Sequence, residues 1–226
     1  MAKNFAIALD GPAGAGKSSV AKTIAHDLGI IYLDTGSMYR TVALKAIGVG
    51  IDTKDADRLG ELMKSIQIDI THVNGEQRIF LDGVDVSDKI RTPQISMGAS
   101  NVAVVPEVRI KMVELQRQIA KKEKVIMDGR DIGTYVLPDA NLKIYLNATV
   151  EERAKRRFLE MKEKGMETPP IEEVMADIAA RDHNDTTREF APLRKAEDAI
   201  EIDSTSMNLE QVIARVRELL KQVEEV

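Results

Sequence analysis

One octet near the N-terminus constrains this chain more than any other feature. Gly11-Pro12-Ala13-Gly14-Ala15-Gly16-Lys17-Ser18, with Ser19 behind it, fits the phosphate-loop pattern G-x-x-x-x-G-K-[ST]. It follows the apolar run at residues 5–9 and opens a stretch in which Val20, Ile24 and Leu28 recur every four residues. Strand, glycine-rich turn and helix in that order is the setting the motif requires. The glycines let main-chain N–H groups point inward at an anion, and the helix adds its positive N-terminal end. Lys17 is placed to reach β- and γ-phosphates, and Ser18 to hold Mg2+. A turn kept for packing alone explains fewer of these constrained positions than nucleoside triphosphate binding does.

The remaining chain repeats the alternation. Apolar runs at residues 30–33, 125–127, 142–146 and 199–202 are nearly continuous, as strands buried on both faces should be. Between them lie helical patterns. Val108, Met112, Leu115 and Ile119 form a stripe entered at Pro106, a favoured first helical position. Thr149 and Glu152 match a capping box. Leu209, Val212, Ile213, Val216, Leu219, Leu220 and Val223 form the face of a last helix capped by Asn208. The expected fold is α/β: a three-layer phosphate-loop fold with a parallel five-stranded sheet. Residues 66–86 break the rhythm. Ile66, Ile68 and Ile70 share a face, and Asn74-Gly75 and Asp82-Gly83 are hairpin signals, which predicts a three-stranded antiparallel insert.

Composition removes several function classes. A chain of 226 residues reads as one large domain with insertions. Its net charge of −5 argues against a nucleic-acid partner held by a basic field. Aromatics are 4% and Trp is absent, so a base-stacking platform is not expected. The lack of cysteine excludes a disulfide scaffold and fits a reducing cytoplasm. The run at residues 5–9 is short for a signal peptide, and no stretch approaches a membrane span.

The loop does not choose the acceptor. A guanine-reading Asn-Lys-x-Asp is absent, and Asp57-Arg58-Leu59-Gly60 falls in a helical segment. The chain does carry arginines where ligands of open parallel sheets sit, beyond the strands' carboxyl ends. Arg40 follows the second apolar run, and Arg130 follows the run at residues 125–127. Arg153, Lys155, Arg156 and Arg157 share a helix. Arg181, Asp185 and Arg188 fall on one helical face, where a row of intrahelical ion pairs competes with phosphate binding. The residues alone leave open a kinase for one of several small acceptors, or a nucleotide-binding switch.

Five segments together resemble bacterial cytidylate kinases, within the nucleoside monophosphate kinases. They are the octet, Leu33-Asp34-Thr35-Gly36-Ser37-Met38-Tyr39-Arg40, Asp128-Gly129-Arg130-Asp131-Ile132-Gly133-Thr134, Arg181-Asp182-His183-Asn184-Asp185 with Arg188, and Ala191-Pro192-Leu193. The similarity runs over nearly the whole chain, the insert included, which adenylate kinases lack. It implies a core of residues 1–37, 98–152 and 166–226, an acceptor-binding domain at 38–97 and a short lid at 153–165. It implies transfer of a phosphoryl group from Mg-ATP to CMP or dCMP by a monomer. Residues 11–19 would bind ATP. Arg40, Arg130 and Arg181 would hold phosphates, and Thr35 would lie in the acceptor site. Ser100, Arg109 and Asp131 would read cytosine, and Asp185 and Arg188 would meet the sugar or a neighbouring phosphate. Ser18 and Thr35 stand where some members have Gly and Ser.

The chemistry that follows needs no general base. A phosphate monoester has a second pKa of about 6, so the acceptor is already largely dianionic at neutral pH. The burden is electrostatic, and Lys17, Arg130, Arg153 and Arg157 are the candidates to carry it. Ser18 is the expected Mg2+ ligand. Asp128 either orients the ion through water or caps the next turn. His26, His72 and His183 are expected to be surface or capping residues.

Overall fold

The computed structural model describes residues 5–73 and 75–224. Asn74, half of one predicted turn, lies outside the described residues; its neighbour Gly75 has φ +80°. The central sheet holds β1 (Ala6–Asp10), β2 (Ile31–Asp34), β6 (Val125–Gly129), β7 (Leu142–Asn147) and β8 (Ile200–Asp203). They lie in the order β2-β6-β1-β7-β8, with every neighbouring pair parallel. The last strand begins one residue later than its apolar run suggests.

Alternation along these strands divides two cores. Ile7 and Leu9 of β1 and Ile126 of β6 point to one face, against Val20 and Ile24 of α1 (Lys17–Leu28) and Val212 and Val216 of α8 (Leu209–Glu224). Ala6 and Ala8, with Val125 and Met127, point to the other, against Val113 of α5 (Pro106–Lys122) and Ile132. Both faces are dry, as a fully covered parallel sheet requires. Asn208 caps α8 as expected, accepting from Gln211 N at 2.9 Å, while Leu209 is 46% exposed and lies off the buried stripe. Thr149 accepts from Glu152 N at 3.3 Å, but Glu152 pairs with Arg156 at 3.0 Å and does not close a capping box.

A third core builds the acceptor side. It joins α2 (Thr35–Gly48), α3 (Ala56–Ser65), α4 (Pro93–Val102) and part of α5 to an antiparallel sheet. That sheet consists of β3 (Ile68–Val73), β4 (Glu76–Leu81) and β5 (Val84–Asp85), in chain order. Asp57–Gly60 is ordinary helix within α3. Two further helices, α6 (Val150–Glu163) and α7 (Ile171–Thr187), pack on each other through Ala154, Val174 and Ile178. Among the described residues, no helix is long and apolar enough to cross a membrane.

The parallel register aligns the carboxyl ends: Asp34 lies opposite Asp128, and Asp10 opposite Gly129. Asp10 and Asp34 thus end their strands and Asp128 stands one residue from the end of the strand between them, all beside the phosphate loop.

Candidate active site

A cavity of about 910 Å³ runs along those carboxyl ends from the phosphate loop to α4 and α7. The loop is shaped by glycine. A Cβ on Gly11, at φ +148°, would lie 2.0 Å from the carbonyl oxygen of Leu146. Lys17 is buried, and its Nζ donates to the carbonyls of Gly11 and Pro12 at 2.8 and 2.7 Å. Burial, with Arg130 nearby, brings its pKa down to about 7. Ser18 Oγ donates to Asp128 Oδ2 at 2.8 Å, and the Tyr32 hydroxyl donates to Oδ1 at 3.0 Å. Burial, and then the neighbouring Asp34, pushes the Asp128 carboxyl above its ordinary value. Asp128 therefore holds the loop's hydroxyl rather than capping the next turn.

Asp34 caps α2 by accepting from Ser37 N at 3.0 Å and pairs with Arg40 at 2.6 Å. Burial opposes its ionisation, but the Arg40 and Arg91 guanidiniums hold its carboxyl below the usual range. Thr35 lines the cavity, yet its hydroxyl is spent on the Asp128 carbonyl at 2.7 Å. Arg40 and Arg181 each keep a buried Nε with no protein partner. Burial and the adjacent Arg130 lower the Arg181 pKa to about 10. A buried guanidinium short of acceptors is a place for a phosphate oxygen.

Beyond them lies a nearly dry ionic cluster. Asp131 pairs with Arg109 and, at 3.3 Å, with Arg188, and all three are at most 5% exposed. The Arg109 guanidinium sits 5.6 Å from the Tyr39 ring centre. Arg188 is also anchored to the Ala191 carbonyl at 2.7 Å. Asp185 accepts from Arg130 Nε at 2.7 Å and lies 3.7 Å from Arg188. Arg130 and Arg188 thus keep the buried Asp185 carboxyl ionised: burial opposes this, yet its pKa stays below the ordinary value. Ser100 Oγ accepts from Asn184 at 3.3 Å. Ser100 of α4, Arg109 of α5, Asp131 after β6, and Arg181, Asp185 and Arg188 of α7 and its C-terminal end all line the cavity.

Arg153 corrects the expectation. It opens α6 directly after β7, which places it under the loop rather than over it. Its guanidinium donates to the carbonyls of Ala148 and Ala13 at 2.8 and 2.9 Å and pairs with Asp182 at 2.7 Å. It is 4% exposed and does not line the cavity, so it braces the loop instead of meeting a transferred group. Arg157 does line it, and pairs with Glu160 at 2.9 Å; Lys164 shares that carboxylate.

Two further features escape sequence reasoning. Asp10 accepts from the main-chain N–H groups of Ile132 and Gly133 at 2.8 and 2.7 Å. It thereby sets the π-helical turn Ile132–Val136 that follows Asp131. Burial raises its pKa to about 6. The far end of the cavity is lined by Arg156 and by Thr205–Asn208 after β8. The carboxyl-end rule that singled out Arg40 and Arg130 also covers this loop.

The family model described as cytidylate kinase matches residues 7–222. The chain belongs to the cytidylate kinase family. It is 54% identical to the cytidylate kinase of Caldicellulosiruptor bescii, over 98% of this chain and 97% of that one. It is 49% identical to that of Lactobacillus johnsonii, over 96% and 94%. A solved structure, an uncharacterized protein from Eubacterium ventriosum, superposes with a TM-score of 0.51 at 15% identity. It covers 99% of this chain and 100% of that one and speaks for the fold alone. Every segment of the cavity described above falls within the part of the chain that matches the family.

Proposed function

We propose that the protein transfers the γ-phosphoryl group of ATP to the phosphate of CMP, and of dCMP, giving ADP and the nucleoside diphosphate. The observation that carries this reading is the single cavity joining a phosphate loop to the buried Arg109–Asp131–Arg188 cluster. The loop amides and Lys17 hold the donor phosphates, and the Thr205–Asn208 end takes the donor base. Arg40, Arg130 and Arg181 hold the acceptor phosphate in line with the donor. The acceptor oxygen forms the new bond to the γ-phosphorus while the bond to the β,γ-bridging oxygen breaks. No proton leaves the acceptor in this step, which fits a site where Asp34, Asp131 and Asp185 are engaged by guanidiniums and Asp128 by the Ser18 and Tyr32 hydroxyls.

Cytosine presents an N4 amine donor beside acceptors, and uracil reverses that edge. A carboxylate at Asp131 accepts from the amine, and the Arg109 and Arg188 forks hold it in place. Ser18 and Asp128 form an all-oxygen pair suited to Mg2+, which supplies charge neutralisation of the donor phosphates. The two residues would hold the ion beside the phosphate loop. With Arg153 kept on the loop, the rest of residues 153–165 forms a lid whose cations, Arg157 and Lys164, rest on Glu160. Closure brings them to the phosphates and excludes water.

The test is ADP formation from Mg-ATP with CMP, dCMP, UMP or AMP as acceptor. CMP-dependent ADP release with no free phosphate is expected. ATP loss to inorganic phosphate at the same rate with or without CMP overturns the reading.

A further inference from the structure

β2 is an edge strand of the central sheet, so its outer main-chain groups have no strand partner. Side chains of the antiparallel insert take that role. His72 of β3 and Gln77 of β4 are directly opposite each other in the hairpin. His72 Nε2 lies 2.9 Å from the Tyr32 carbonyl. Gln77 Oε1 accepts from Asp34 N at 2.7 Å, and its Nε2 donates to Ser37 Oγ at 2.7 Å. The two contacts on β2 are two residues apart on the same side, where a neighbouring strand would bond. The insert therefore clamps the end of β2 with one amide and one imidazole.

What is clamped matters. Asp34 is both the cap of α2 and the partner of Arg40. Ser37 Oγ, which takes the Gln77 amide, donates in turn to the Asp34 carbonyl at 2.6 Å. A displaced Asp34 moves the guanidinium that lines the acceptor end of the cavity.

We propose that Gln77 is a positioning residue of the acceptor site: it fixes Asp34 from the insert, and through Asp34 the aim of Arg40. This rests on the reading of the cavity as a CMP kinase site. It gives the insert a task in catalysis, because its hairpin reaches the residue that pairs with Arg40 at the phosphate end of the site.

The test is Gln77→Met, which keeps length and removes the two short hydrogen bonds to Asp34 N and Ser37 Oγ together with a long one to the Asp34 carbonyl at 3.4 Å, with Glu76→Ala as an exposed control on the same strand. Loss of two neutral hydrogen bonds corresponds to about a fivefold to 150-fold effect. The expected result is a KM for CMP raised by that factor, an unchanged KM for ATP, and a Glu76→Ala variant that matches the parent. A parent-like KM for CMP, or equal increases for CMP and ATP, overturns the proposal. A purely structural role lowers the melting temperature and the active fraction while leaving KM for CMP in place. If melting shows Gln77→Met misfolded, Gln77→Asn keeps the amide but draws it one methylene back from Asp34 and Ser37, and carries the same expectation. Failure of the functional reading is separate: the unmodified protein then shows no CMP-dependent ADP formation at all.

Discussion

Replacing Asp131 by Asn separates what the buried cluster does for stability from what it does for the substrate. The change keeps side-chain volume and removes one charge from between two guanidiniums, Arg109 and Arg188, that are 1% and 5% exposed. Breaking a buried pair by removing one partner costs ~3–5 kcal/mol. For a chain of this size 1 kcal/mol moves Tm by ~2–4 °C, so Tm should fall by about 6–20 °C. Selectivity changes independently. A charge-assisted hydrogen bond to the cytosine amine contributes ~1.5–3 kcal/mol, or about 10–150-fold in kcat/KM for CMP. For UMP the carboxylate faces a carbonyl oxygen, and the Asn amide supplies the donor that oxygen needs. The ratio of kcat/KM for CMP over UMP should therefore drop at least about tenfold. Coupled ADP detection with each nucleotide, below the variant's melting temperature, measures it. A folded variant that loses activity equally on both nucleotides would falsify the assignment and leave Asp131 a structural ion-pair partner.

Lys17→Ala should lower kcat by ~10²-fold or more, as loss of one preorganised donor to a transferring group does, with an unchanged far-UV circular dichroism spectrum; substantial residual turnover would count against the loop mechanism. With a pKa of about 7, free Lys17 is largely neutral at pH 8, while bound polyphosphate favours its ammonium form. Mg-ATP binding at pH 8 should thus take up close to one proton, visible by calorimetry as a heat that varies with buffer ionisation enthalpy; a buffer-independent heat contradicts it. The same shift makes unfolding harder as pH rises from about 7 towards 10.5, since the unfolded lysine binds the proton more tightly. Arg153→Ala should raise KM for ATP more than KM for CMP, because it frees the Ala13 carbonyl and leaves Asp182 without its guanidinium; the reverse order would place Arg153 on the acceptor side.

The core sheet is readable in the chain because both faces of each strand are buried, which leaves short unbroken apolar runs. The insert is readable for the opposite reason: Ile68 is buried while Asp69 is exposed, and glycines at positive φ mark its turns. Arg40 and Arg130 could be placed near the loop by topology alone, whereas only the family resemblance places the α7 residues there. Side-chain direction could not. Arg153 and Arg157 are one turn apart on α6, yet one is consumed by carbonyls and the other lines the cavity. Asp10 finds its amides 122 positions away, and Gln77 finds Asp34 43 positions away. Those contacts depend on strand order and on where the hairpin lands, which no local pattern encodes.

One helix touches both substrates' quarters. Asp182 of α7 grips the brace beneath the donor loop, while Arg181 and Asp185 on the same helix, with Arg188 at its end, face the acceptor. A stiff rod fastened at two places cannot shift at one and stay still at the other. A shift of this helix on seating either nucleotide therefore reaches the berth of its companion, so CMP should change the Kd for Mg-ATP in a calorimetric titration, and an unchanged Kd would contradict the coupling.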